Sequence, residues 1–185
     1  MVSLSTPEAE LGNVALDFSL PSTTGEMVTL QSARGPKGLV IVFMCNHCPY
    51  VKAIIDRLIR DARDLKALGV NTVAISANDA DNYPADSFDN MRRWAEEKQF
   101  PFPYLHDESQ TVAKAYGAIC TPDFFGYDAD LKLRYRGRLD ESKKESAATS
   151  ARRELYLAMK DVAETGKTTG PQIPSMGCSI KWKAA

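Results

Sequence analysis

The chemistry of this 185-residue chain concentrates at Cys45-Asn46-His47-Cys48. The motif follows a continuous apolar run at 38–43 (GLVIVF) and precedes an amphipathic stretch, so it sits where a buried strand gives way to a helix. A helix N-terminus presents unpaired N–H groups and a partial positive charge, which stabilise a thiolate, the reactive form of cysteine. Two intervening residues let Cys45 and Cys48 share a helical turn and close a strained disulfide. In such a pair the first cysteine is expected to be exposed and to attack, and the second to be more buried and to resolve the mixed disulfide. An imidazolium at His47 adds positive charge beside Cys45 and predicts a lowered Cys45 pKa. The alternative for His47 is an exposed residue at the helix start without effect on the thiols.

Two other readings compete for the pair. Zinc needs four ligands, and a structural site usually supplies a second close pair. His106, Cys120 and Cys178 are single and scattered in sequence, so no metal is expected. The two thiols could also be inert core residues. Cys120-Thr121-Pro122 precedes another apolar strand, and Pro122 could be an ordinary trans proline at a strand entry. Cys120 could be a small buried apolar residue or a redox group. Cys178 lies in the last segment, as a third thiol able to fold back or as an incidental tail cysteine. The aspartates at 79, 81, 86 and 89 are expected to be a solvated loop and helix cap; their spacing does not fit a calcium loop.

The elements that must position these residues alternate in type, which predicts an α/β sheet. Residues 18–20 and 27–30 flank a turn and predict a small hairpin. Apolar residues at three- and four-residue spacing predict a helix after Cys48, over 51–68, and Gly69 stands at its stop. A strand over 70–77, helices over 86–99, 109–116 and 146–165, and strands over 124–127 and 131–138 follow. The last two strands are too close for a crossover and must pair antiparallel, while strands joined through helices run parallel. Residues 1–165 therefore form one domain with a mixed sheet and helices on both faces. Residues 166–185 are expected to be an irregular tail whose Ile180 and Trp182 need a docking place, with Lys181 and Lys183 set to complement the acidic loop.

The composition is 44% hydrophobic and 25% charged, with 23 basic and 24 acidic residues. This excludes a disordered or fibrous chain, and the balance of charge gives no electrostatic reason for a nucleic-acid or membrane partner. The apolar stretch at 38–44 is too short to span a bilayer. The N-terminal residues carry neither a basic start nor an apolar run, which predicts a cytoplasmic protein without a secretory signal.

Residues 16–26 (LDFSLPSTTGE), 40–43 (VIVF) and the CxxC together resemble the thioredoxin superfamily, in its alkyl-hydroperoxide-reductase/thiol-specific-antioxidant, peroxiredoxin-like branch. The resemblance runs over 14–140. It includes 78–81 (NDAD), 103–107 (PYLHD), 120–125 (CTPDFF) and 135–140 (YRGRLD), and extends to 177–183 (GCSIKWK). It implies a thioredoxin-like fold and an oxidoreductase with thiol–disulfide or antioxidant activity. Thioredoxin or glutathione would donate electrons to act on protein or low-molecular-weight disulfides, with no cofactor. It also implies that Pro122 is the cis-proline facing the CxxC and that the Thr121 backbone pairs with an extended substrate.

The branch's peroxidatic place falls on Cys48. There the family's supporting Pro, Thr and Arg positions are Ile41, Cys45 and Pro122, so the groups that polarise a peroxide are missing. The buried Asp and the Trp of thioredoxins are replaced by Leu39 and Met44. Thiol–disulfide oxidoreduction is therefore the expected function, with Cys45 attacking, Cys48 resolving, His47 tuning and Thr121-Pro122 orienting the substrate. A weak peroxidase using Cys48, and a zinc-holding or redox-sensing module, are the alternatives.

Overall fold

A strand apolar at every position belongs between two layers, and residues 38–43 lie at the centre of a five-stranded sheet with all six residues buried. The computed structural model describes residues 3–8 and 10–184. In chain order the elements are β1 (Ser3–Ser5), β2 (Ser19–Pro21), β3 (Met27–Thr29), α1 (Leu30–Ala33), β4 (Gly38–Phe43), α2 (Pro49–Ala67) and β5 (Val70–Ser76). After a 3-10 turn at Pro84–Asp86 come α3 (Phe88–Lys98), β6 (Tyr104–His106), α4 (Thr111–Ala115), β7 (Cys120–Thr121), β8 (Asp123–Asp128), β9 (Leu133–Tyr135), α5 (Glu154–Thr165) and β10 (Met176–Ser179).

The main sheet has the order β6-β5-β4-β8-β9. β4 runs parallel to β5, and β5 to β6, while β8 is antiparallel to both β4 and β9. Alternation along β4 sorts its side chains into two cores. Val40 and Val42, with Met44 beyond the strand, face Ile54, Leu58 and Met159 of α2 and α5. Leu39, Ile41 and Phe43 face the other layer, built from Val28 of the hairpin, Leu30 of α1 and Ala113 of α4. Burying a side chain of this size contributes about 1.5–3 kcal/mol. Among the described residues no helix is long and apolar enough to cross a membrane.

The expected hairpin is present as β2–β3, with Leu20 opposite Val28. Three expectations are corrected. The helix expected over 146–165 begins at Glu154, because the preceding segment is bound to α2 through Arg57, which holds Asp140 and the Ala148 carbonyl. The strand expected to reach 138 ends at Tyr135; beyond it, the Arg136 N–H goes to the Gln172 side chain and the Arg138 N–H to the Ile173 carbonyl.

The largest correction concerns the tail, which is not wholly irregular. β10 lies between β1 and β7 in a three-stranded antiparallel sheet, with Cys178 opposite both Ser3 and Thr121. Ile180 enters the second core and Trp182 lies beneath the Lys114 ammonium, half exposed. The tail is fastened by backbone groups, since Asp79 N–H donates to the Lys181 carbonyl and Lys181 N–H to Asn78 Oδ1, and the Lys183 charge adds to this by favouring ionised Asp79.

Gly177 permits this docking, because a Cβ there would lie 2.0 Å from the Thr121 carbonyl oxygen. Gly177→Ala is expected to destabilise the protein by about 1–3 kcal/mol and to speed alkylation of Cys178. Gly170→Ala, where the nearest atom to the added carbon is 4.0 Å away, should leave both unchanged; thermal unfolding and thiol-labelling rates read the difference.

Candidate active site

Pro49 decides where α2 starts. Proline is suited to the first helical position because it lacks an N–H and has a fixed φ, and here Cys48 is the N-cap with Pro49 following it. The two cysteines therefore do not share a helical turn as expected. Cys48 sits at the helix mouth, and Cys45 lies in the loop between β4 and that mouth. Both are buried, with 1% of Cys45 and none of Cys48 exposed.

The loop is held from below by Asp86, which the sequence reading had placed in a solvated loop. Its carboxylate is fully buried. Oδ1 accepts from the backbone N–H of Asn46 (2.8 Å) and of His47 (3.2 Å). Oδ2 contacts His47 Nδ1 at 2.5 Å and accepts from Asn78 Nδ2 at 2.7 Å. These bonds replace the water that a buried carboxylate loses. Asn46 is held further by the Ala85 carbonyl and the Tyr104 hydroxyl, and the His47 ring stacks on Tyr83. No composition or periodicity signal marked Asp86; its nearness to the motif comes from the folding of residues 78–86 over the end of β4.

Thr121 and Pro122 stand opposite the pair, joined by a cis peptide bond. Thr121 Oγ1 is 3.5 Å from Cys45 Sγ, and Cys48 Sγ lies 3.0 Å from the Thr121 carbonyl oxygen. The backbone edge of Thr121 that the resemblance assigned to an extended substrate is occupied by Cys178 of β10. Cys178 is also a hydrogen-bonding neighbour of Cys48, so Cys45, Cys48, Thr121 and Cys178 converge. Cys120 points elsewhere, toward the Pro122 carbonyl at 3.7 Å, and burial first, then Asp123, pushes its pKa far up.

The surroundings raise the pKa of one thiol of the pair and lower that of the other. The neighbouring Cys48, burial and the Asp86 charge hold the Cys45 pKa well above the ordinary value. His47 Nδ1 lies 4.0 Å from Cys45 Sγ and 2.5 Å from Asp86 Oδ2. Cys48 is lowered to about 5, chiefly by Cys45 and further by Thr121 and Cys178, against the opposing effect of burial. The Thr121 carbonyl contact suits the protonated Cys48 thiol and opposes its ionisation.

Among the described residues, Cys45, His47 and Asp86 bring ligand atoms within 4.8 Å of one another and could approach a metal ion. Both Asp86 oxygens are already engaged.

This fold and thiol cluster define a thioredoxin-like redox protein. Residues 11–136 match the AhpC/TSA family, and the chain belongs to that family. It is 29% identical over 126 residues to peroxiredoxin Bcp of Escherichia coli K12, covering 67% of this chain and 76% of that protein. It is 26% identical over 109 residues to the thiol-disulfide oxidoreductase ResA of Halalkalibacterium halodurans, covering 59% and 57%. An uncharacterized conserved protein from Geobacillus kaustophilus has the same structure over 100% of this chain and 98% of its own, with a TM-score of 0.94 and 44% identity. Peroxidoxin BcpB of Mycobacterium tuberculosis shares the fold at a TM-score of 0.57 and 22% identity, over 68% of this chain and 83% of its own.

Two outcomes are expected. In the reduced protein one thiol should ionise near pH 5, seen as thiolate absorbance and assigned to Cys48 by its loss in Cys48→Ala. A group whose folded pKa lies below its ordinary 9.0 stabilises fully above that value, so this contribution should fade as pH falls toward 5. Asp86→Asn should lower the Cys45 pKa, because a like charge has been removed. It should also destabilise the fold by about 1–3 kcal/mol, since an amide cannot accept at both positions.

Proposed function

We propose that the protein is a thiol–disulfide oxidoreductase working through Cys45 and Cys48, with Cys48 supplying the attacking thiolate. The observation that most supports this reading is the convergence of the two thiols on Thr121 at the mouth of α2, with Thr121 Oγ1 3.5 Å from Cys45 Sγ and the Thr121 carbonyl oxygen 3.0 Å from Cys48 Sγ. Cys48 attacks one sulfur of a substrate disulfide, and the other substrate sulfur leaves as a thiolate. Once Cys48 is in the mixed disulfide it carries no charge, so the interaction that kept the proton on Cys45 weakens. Cys45 then attacks Cys48 Sγ, its proton passes to the departing thiol, and the second substrate sulfur is released. Two electrons have moved from the cysteine pair to the substrate, and the pair is left as a disulfide. Thioredoxin or glutathione would return the electrons, in a cytoplasm that keeps thiols reduced.

A thiol peroxidase at Cys48 is the second reading, favoured by the placement of a stabilised thiolate before Pro49 and by the likeness to peroxiredoxin Bcp. In this reading Cys45 occupies the place of the family's Thr, and the Thr121 hydroxyl, 3.5 Å from Cys45, is the nearby hydroxyl.

Reduction of glutathione disulfide and of insulin, followed beside turnover of a hydroperoxide, separates the two. Cys48→Ser should abolish every activity, and Cys45→Ser should stall exchange at a mixed disulfide on Cys48. Exchange that survives in Cys48→Ser would refute the oxidoreductase mechanism. Fast hydroperoxide turnover in the unmutated protein, with a Cys48 sulfenic acid in Cys45→Ser, would establish the peroxidase instead.

A further inference from the structure

The docked tail brings a third thiol to Cys48. We propose that Cys178 is a further redox residue of this site, which closes a disulfide with Cys48 from the position that a substrate sulfur would take. The placement rests on backbone register. Cys178 is paired with Thr121, the residue whose carbonyl oxygen is 3.0 Å from Cys48 Sγ. Gly177 is packed so closely on that carbonyl that β10 has no freedom to stand farther away. Cys178 is 3% exposed and shares the core that contains Cys45 and Cys48. Its pKa is pushed up to about 12, first by burial and then by the charge and hydrogen bonding of Cys48, so it holds its proton while Cys48 is a thiolate.

The step rests on the proposed attack by Cys48. Glutathione disulfide reacts at Cys48, forming a Cys48–glutathione disulfide and releasing one glutathione. Cys178 attacks Cys48 Sγ, the Cys178 proton passes to the departing sulfur, and the second glutathione leaves. The dithiol is oxidised by two electrons and glutathione disulfide is reduced by two. Cys45 can then attack the same sulfur and free Cys178, so the two disulfides exchange around Cys48. Because β10 already fills the Thr121 edge, an extended peptide would have to displace a strand, whereas a small disulfide needs only a local opening over the buried Cys48.

Cys45→Ser isolates the Cys178 reaction. With glutathione disulfide it is expected to release two equivalents of glutathione and to yield a Cys48–Cys178 peptide in non-reducing mapping. The double variant Cys45→Ser/Cys178→Ser should release one equivalent, and its mixed disulfide should persist roughly a hundredfold longer, since an intramolecular thiol has been lost. In the unmutated protein, partial oxidation should leave a fraction of molecules with Cys45 open to alkylation and Cys178 bonded, a measurement that does not depend on a variant folding. A Cys45→Ser protein that stops at the mixed disulfide with Cys178 alkylatable, or Cys45 bonded in every oxidised unmutated molecule, would overturn the proposal while leaving the Cys45–Cys48 mechanism intact. Failure of Cys48 to take up glutathione at all would overturn both.

Discussion

One buried carboxylate ties the redox loop to the rest of the molecule. The segment between β4 and α2 has no ladder of its own, since the strand ends at Phe43 and the helix begins at Pro49. Asp86 replaces that ladder by accepting the N–H groups of Asn46 and His47 and the His47 ring. Through Asn78 the same carboxylate reaches the tail: Asn78 Nδ2 donates to Asp86, and Asn78 Oδ1 accepts from Lys181 N–H. Loop, acidic turn and C-terminal segment therefore form one hydrogen-bonded unit, and a buried network of this kind is rigid only while every member is satisfied.

That unit explains why the proton sits where it does. A CxxC at a helix mouth would ordinarily favour ionisation of its first cysteine. Here Asp86 places a negative charge beside Cys45, and Pro49 moves the helix start so that Cys48 has the N-cap position. Both displacements act in the same direction. The Cys45 pKa is raised and the Cys48 pKa lowered, with Thr121 and Cys178 adding to the lowering. His47 Nδ1 stands between Asp86 and Cys45, 2.5 Å from Asp86 Oδ2 and 4.0 Å from Cys45 Sγ.

The tail completes the site by closing an edge. A short strand such as β7 leaves backbone groups unpaired, and an unpaired edge invites another chain. β10 covers it, with Ser175 Oγ donating to the Pro122 carbonyl and Gly177 packed on that of Thr121. The protein thus carries its own strand where the resemblance placed an extended substrate, and that strand contains a cysteine.

The sequence by itself determined the layered architecture and the location of the chemistry. The unbroken apolar run at 38–43, the helical spacing from Val51 to Leu65 and the CxxC between them are local patterns, and each is set by burial or by a few neighbouring residues. Thr121-Pro122 was legible as a cis-proline pair through the resemblance, while the local pattern alone also fitted a trans proline at a strand entry. Asp86 was not, because one aspartate among four in a polar loop looks solvated until residues 78–86 fold over β4. The thiolate assignment was not legible either, since it depends on charges and donors brought from positions 86, 121 and 178. Nor was β10: four residues with a central glycine carry little strand propensity, and they form a strand only because β1 and β7 offer edges on both sides. Only tertiary structure decides contacts of that sequence separation, and here they set the surroundings of both thiols.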